Sequence, residues 1–153
     1  MIKKQPSIDA KDIQIIHLLS DNARLPVSSI ALNIGMSAPS AAERIKRLEE
    51  SGLISKFTIE LNTELLGYPL SALVKVKPLP GQLQALEQRL IGMPACTECD
   101  KVTGNDCFNV RLVLRSISEL DELLDQIADI AETSTAIIKK SPVKRRLPPI
   151  LAS

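Results

Sequence analysis

The chain has 153 residues, enough for one ordinary domain or two small ones, and its hydrophobic share of 44% supports a packed core over general disorder. Aromatic residues make up only 2%, with no Trp, which argues against the stacking platforms that grip single strands and splayed RNA bases. The formal net charge is +1, so a nucleic-acid partner would have to be met by local basic patches and would be duplex DNA. No apolar run is long enough to span a bilayer, and the lysines near Met1 are followed by no apolar stretch of a signal peptide. Three cysteines are an odd number and too few for a disulfide framework, so the expected home is a reducing cytoplasm.

In chain order, Asp9 is placed to cap a first helix, with Asp12 in its first turn and Ile8 and Ile13 at the two positions of a hydrophobic staple. Ile15, Ile16 and Leu19 continue the apolar face. A short second helix follows from Pro26 or Val27 to Ile34, and Gly35-Met36-Ser37 makes a turn in which Ser37 caps a third helix over Ala38–Ser51. Ala41, Ile45 and Leu48 share the packing face of that helix. Ser40, Glu43, Arg44 and Arg47 point outward or flank it. Small polar residues at the start of such a helix suit base edges, and the cations Arg44, Lys46 and Arg47 suit phosphates. A solvated face balanced by Glu43, Glu49 and Glu50 is the alternative; the succession of short helix, Gly turn and capped helix outweighs it. Leu53–Leu61 alternates loosely and is expected to form a short wing or linker strand.

After Tyr68-Pro69, residues 70–77 alternate as a strand, with Ala72, Val74 and Val76 on one face. Leu83, Leu86, Leu90 and Ile91 form a helical stripe. Residues 96–103 read as a strand, Gly104-Asn105-Asp106 as a tight turn, and Phe108, Val110, Leu112 and Leu114 as the returning strand. Ser118 is expected to cap a long helix carrying Leu120 through Ile130, and a last strand covers Thr133–Lys140. This β-α-β-β-α-β order is the ferredoxin-like split motif, whose sheet has one bare face. Leu73 and Val113 lie on that face among Lys75, Arg111 and Arg115, so a second copy is expected to pack there. The fold class is therefore α+β. Residues 1–61 form a winged helix-turn-helix, 62–69 a linker, and 70–153 a ferredoxin-like domain with an extended tail.

These stretches resemble the Lrp/AsnC (leucine-responsive, feast–famine) family of transcriptional regulators over nearly the whole chain. The resemblance is carried by Ile8-Asp9 with Asp12, Gly35-Met36-Ser37, Arg44-Ile45-Lys46-Arg47-Leu48-Glu49, Gly52-Leu53-Ile54, Leu66-Gly67, Val102-Thr103-Gly104 and Leu147-Pro148. It implies a sequence-specific regulator that binds double-stranded DNA, using Ser37, Ser40, Glu43, Arg44, Lys46 and Arg47. It also implies a homodimer through the sheets, commonly assembled into octamers. A small-molecule effector of the amino-acid class would be held by Thr103, Gly104, Asn105 and Asp106, with Thr133 and Thr135 opposite. The hairpin departs from the family's usual run, because an aromatic is absent and Cys107 stands where an acidic residue is common.

Other residues invite chemistry less. Cys96-Thr97-Glu98-Cys99 has metal-ligand spacing, but positions three apart on a regular strand face opposite sides. No metal, cofactor or catalytic residue is assigned. His17 packs or faces solvent within the first helix, and Ser37 and Ser118 are caps. Asp121, Glu122 and Asp125 form a solvated face or meet an effector's amino group, and Lys144-Arg145-Arg146 keeps a Pro-rich end soluble or contacts wrapped DNA; the solvated reading is preferred for both. Two rival functions share the architecture: a siroheme-decarboxylase-like enzyme, and an assembly or small-molecule-binding module without DNA binding. Against the first, the second domain has no histidine, and Tyr68 is the chain's one tyrosine. Arg44 and Arg47 speak against the second.

Overall fold

A computed structural model of the chain describes residues 6–104 and 107–151. They divide into two compact units, Met1–Glu60 with Val143–Ser153, and Leu61–Pro142.

The first unit holds three helices, α1 (Ala10–Asp21), α2 (Val27–Ile34) and α3 (Ala38–Glu50). Asp9 opens α1 with a reciprocal capping box. Its carboxylate accepts the Asp12 N–H at 2.9 Å, and the Asp12 carboxylate accepts the Asp9 N–H at 3.1 Å, satisfying two donors that have no partner within the helix. Ile8 and Ile13 join the same apolar cluster, as a staple requires. Ile15, Ile30, Ile34, Ala41 and Leu48 fill the centre of that cluster. Pro26 stands just before α2 as its cap residue, not inside the helix.

Two expectations change here. Leu53–Leu61 forms no strand. A strand needs a neighbouring backbone, and among the described residues this segment pairs with none; Ile54 packs on the helices while Phe57 and Ile59 stay exposed. The tail from Val143 onward, assigned by sequence to the sheet domain, lies with the helices. Ile150 packs on their core, and Arg145 and Leu147 line a cleft with Ile16, Leu19, Ile54 and Phe57. The prolines around it favour an extended chain, and an extended chain can lie along a groove.

The second unit contains β1 (Leu70–Pro78), α4 (Leu83–Ile91), β2 (Cys96–Lys101), β3 (Phe108–Leu114), α5 (Ile117–Asp125) and β4 (Ala131–Ile137). The strands form one antiparallel sheet in the order β2-β3-β1-β4, the expected ferredoxin-like arrangement. Alternation in β1 and β3 sends Ala72, Val74, Val76, Phe108, Val110, Leu112 and Leu114 under the helices, against Leu86, Leu90, Leu120 and Ile127.

Ser116, not Ser118, caps α5. Ser116 is extended (φ −153°, ψ 168°), and its hydroxyl accepts the Glu119 N–H at 3.2 Å, while the Glu119 carboxylate accepts the Arg115 N–H at 2.6 Å. Ser118 is already inside the helix, so it does not stand at the extended position from which a hydroxyl reaches the free N–H groups of the first turn. The helix also stops sooner, at Asp125, and Ile127 and Ile130 are buried from a run of turns. β4 begins and ends earlier than expected. The Ile138 N–H donates to the Ser71 carbonyl at 2.8 Å, and β1, which starts at Leu70, offers no rung beyond.

Candidate nucleic-acid interface and effector site

The turn into α3 is built by backbone geometry. Gly35 takes the left-handed conformation (φ 64°, ψ 52°), and the Met36 N–H reaches back to the Ala31 carbonyl at 3.0 Å, closing α2 as a Schellman turn does. The Lys11 ammonium donates to the Ile34 carbonyl, placing a cation at the negative end of α2. Ser37 then caps α3. Its hydroxyl accepts the Ser40 N–H at 3.3 Å and lies 2.8 Å from the Ser40 hydroxyl. Ser37, Ser40, Glu43, Lys46 and Arg47 are all exposed on α3 or at its start. Lys46 pairs with Glu50 one turn later, at 3.7 Å.

Arg44 and Arg47 do not simply point outward. Both reach the capping box of α1. Arg44 Nη1 donates to Asp9 at 2.7 Å and to Asp12 at 2.8 Å, while Arg47 Nη2 donates to both oxygens of Asp12 at 3.1 and 3.0 Å. The Asp12 side chain is 1% exposed, Arg44 25% and Arg47 57%. With the Asp9 N–H added, the donors around Asp12 occupy both carboxylate oxygens. The Asp12 backbone N–H, and then the Arg44 guanidinium, hold the Asp9 carboxyl below its ordinary value; the two carboxylates push Arg44 further up. Sequence reading missed this network. The available signal was the matched spacing, two acids three apart facing two arginines three apart on another helix.

In the second unit, Thr103, Gly104 and Thr133 of the candidate effector residues sit toward one end of the sheet. The row Lys101, Phe108, Val76, Thr133 runs across all four strands. Thr103 and Gly104 (φ 115°) continue from β2 at that end, and Asn105 and Asp106 fall outside the described residues. Thr133 stands two strand spacings from β3, about 10 Å. Thr135 lies one step further in, opposite Val74. Thr133 and Thr135 share the helix-side face with Val76 and Val74, yet both are exposed, as is all of β4 from Glu132 to Ile137. Among the described residues, nothing covers Thr133 or Thr135.

The opposite face carries Leu73 (39% exposed) and half-buried Val113. Arg111 there pairs with Glu98 at 3.3 Å, and Arg115 lies over the Tyr68 ring and donates to its hydroxyl.

The argument against a shared face for Cys96 and Cys99 is overturned. β2 bulges between Cys96 and Glu98, so Cys96 pairs with Leu112 and Cys99 with Val110, both buried under the helices. Cys96 and Cys99 thus line one open cleft of about 290 Å³ beside α4, with Glu87, Lys101 and Phe108. Burial pushes both thiols up, away from the reactive thiolate. Among the described residues no group of three His, Cys, Asp or Glu is arranged to hold a metal ion. His17, Asp121, Glu122 and Asp125 are exposed on their helices.

The sequence pattern of the AsnC-type helix-turn-helix domain matches residues 8–49, and that of the Lrp/AsnC ligand binding domain matches residues 71–148. The chain belongs to the Lrp/AsnC family of transcriptional regulators. Among relatives of this Lrp/AsnC chain, the HTH-type transcriptional regulator FL11 of Pyrococcus furiosus is 32% identical over 136 residues, covering 87% of this chain and 90% of that protein. LrpC of Bacillus subtilis is 25% identical, covering 86% and 91%. The solved structure of LrpC superposes with a TM-score of 0.86 at 24% identity, covering 92% of this chain and all 100% of that one. Mycobacterium tuberculosis LrpA gives 0.75 at 27%, covering 93% and 100%. A Neisseria meningitidis regulator solved as an L-Met complex gives 0.86 at 18%, covering 94% and 97%, a likeness of fold. This Lrp/AsnC protein is thus a DNA-binding transcriptional regulator with a domain for a small molecule. No helix among the described residues is long and apolar enough to cross a membrane.

Proposed function

We propose that this regulator reads duplex DNA with the N-terminal half of α3 and answers to an amino acid or a related small metabolite. The observation that carries the DNA reading is the exposed row of Ser37, Ser40, Glu43, Lys46 and Arg47 on a helix held rigidly by the Gly35 turn and the Ser37 cap. Ser37, Ser40 and Glu43 are short or polar groups for base edges; Lys46 and Arg47 are cations for the backbone. Arg44, turned toward α1, contributes through the helix's position. The protein works by binding, not catalysis, and in the cytoplasm.

Its effector would lie at the Thr103–Gly104 end of the sheet, with Asn105 and Asp106 next in the chain and the uncovered Thr133 and Thr135 supplying hydroxyls. A zwitterion needs donors for its carboxylate and an acceptor for its ammonium. Backbone N–H groups at the hairpin suit the first, and Asp106 the second. The bare sheet face around Leu73 and Val113 supports a homodimer as the minimal unit, with octamers built from it. Two measurements test this. A mobility shift on genomic duplex fragments should show binding, repeated with and without an amino-acid pool. Calorimetry with single amino acids should give heat in wild type and none in Gly104→Val and Asp106→Ala, with assembly retained. Silence across the panel would remove the amino-acid reading, and no shift on any duplex would remove the α3 reading.

A further inference from the structure

We propose that Arg44 and Arg47 divide two tasks through one buried acid: Arg44 fixes the recognition helix to α1, and Arg47 is the arginine released from Asp12 to a DNA phosphate. The inference rests on α3 being the DNA-contacting helix.

The network is balanced, with two carboxylates, Asp9 and Asp12, facing two guanidiniums. Its members are not equivalent. Arg44 is three-quarters buried and bridges both acids, so taking it away strips Asp9 of its guanidinium and removes one from Asp12 at the same moment. Arg47 is more than half exposed and touches Asp12 alone. When Arg47 leaves, Asp12 still has Arg44 at 2.8 Å and the Asp9 N–H at 3.1 Å. Asp12 keeps one guanidinium whichever arginine leaves, so the difference lies with the arginines: releasing Arg44 also strips Asp9 of its guanidinium and displaces a three-quarters-buried side chain, and releasing Arg47 does neither. A phosphate approaching α3 therefore competes for Arg47 on easy terms and for Arg44 on hard ones. Asp12 is then a positioning residue. It keeps Arg47 folded near the helix in the free protein, and Arg44 keeps the helix angle constant while Arg47 changes partner.

Full-length Arg44→Gln and Arg47→Gln separate the tasks, because each removes one charge and keeps hydrogen-bond donors. Binding to a duplex of arbitrary sequence is followed by fluorescence anisotropy over a range of salt, and unfolding is followed by circular dichroism. Arg47→Gln should lower the slope of log affinity against log salt by about one per bound helix, with its unfolding midpoint near wild type. Arg44→Gln should keep the wild-type slope and unfold at lower temperature, and Asp9→Asn added to it should cost little more, because the pair it belongs to is already broken. If Arg44→Gln is too unstable to bind at the first temperature, the slope is read at a lower one, where the variant stays folded. A slope lowered by the Arg44 substitution, or unmoved by Arg47→Gln, overturns the division. If wild type shows no salt-dependent binding to any duplex, it is the DNA reading of α3 that has failed.

Discussion

The two units are stabilised by different means. Among the described residues, the helical unit buries the one charged side chain in the chain's cores, Asp12, and joins α1 to α3 through it. The sheet unit has an apolar core, assembled from alternating strand residues and two helix stripes, with its ion pairs on the surface. A small helical cluster makes few contacts with which to set an interhelix angle, and directional charge pairs supply what packing alone does not. A four-stranded sheet already fixes its geometry by backbone hydrogen bonds, so burial of apolar groups suffices.

This contrast can be broken by substitution. Phe108→Ala should cost the most, about 3–5 kcal/mol, since it opens a cavity between sheet and helices in the unit that depends on packing. Urea unfolding followed by circular dichroism would show it; a loss under about 1 kcal/mol would mean that the apolar core tolerates collapse. Arg44→Ala should cost about 1–3 kcal/mol, less than for a fully buried pair because the side chain is a quarter exposed. A neutral result in the same denaturation would show that packing alone orients α3.

A finer test lies at the start of α5. Ser116→Ala should remove about 1 kcal/mol by stripping the cap, whereas Ser118→Ala, exposed inside the helix, should change stability by under about 0.5 kcal/mol. Equal effects would dissolve the distinction between them.

The smallest effect is expected from acid. Asp9 is lowered by the Asp12 N–H and then by Arg44, and Asp129 by the Arg89 guanidinium, each from an ordinary 3.8. A carboxyl lowered on folding stabilises fully above its unfolded value and loses that contribution as pH falls through the lower folded one. Melting midpoints should therefore hold above pH 3.8 as far as these groups are concerned and decline below it, less steeply in Asp9→Asn. An unchanged acid decline in that variant would remove Asp9 from the account.

Local chemistry was legible in the residues themselves. Asp9 and Ser37 cap the helices they precede, Gly35 turns left-handed where a helix must end, and alternation in β1 and β3 points the same side chains inward in the sequence and in the fold. Each depends on neighbours within about four positions, which is the reach of a cap, a turn or a strand's pleat. What escaped depends on partners far along the chain or on irregularity. Ser118 was read as the cap because it stands just before an apolar stripe; Ser116 stands before the same stripe, and the Glu119 that answers it shows its role when the turn is built. Cys96 and Cys99 share a face because β2 bulges against β3, a choice made by the pairing and not by the strand's own period. Val143–Ser153 lies with the helices because Ile150 finds an apolar groove there. Arg44 and Arg47 read as outward cations until α1 brings a buried carboxylate within 3 Å of them, more than thirty residues away in sequence. Sequence by itself determined the helices, the strands of the sheet, their order and the exposed row on α3, while the strand it led one to expect at Leu53–Leu61 found no partner. Tertiary structure decided which charges were already taken, because a salt bridge, unlike a cap, is set by where two helices meet.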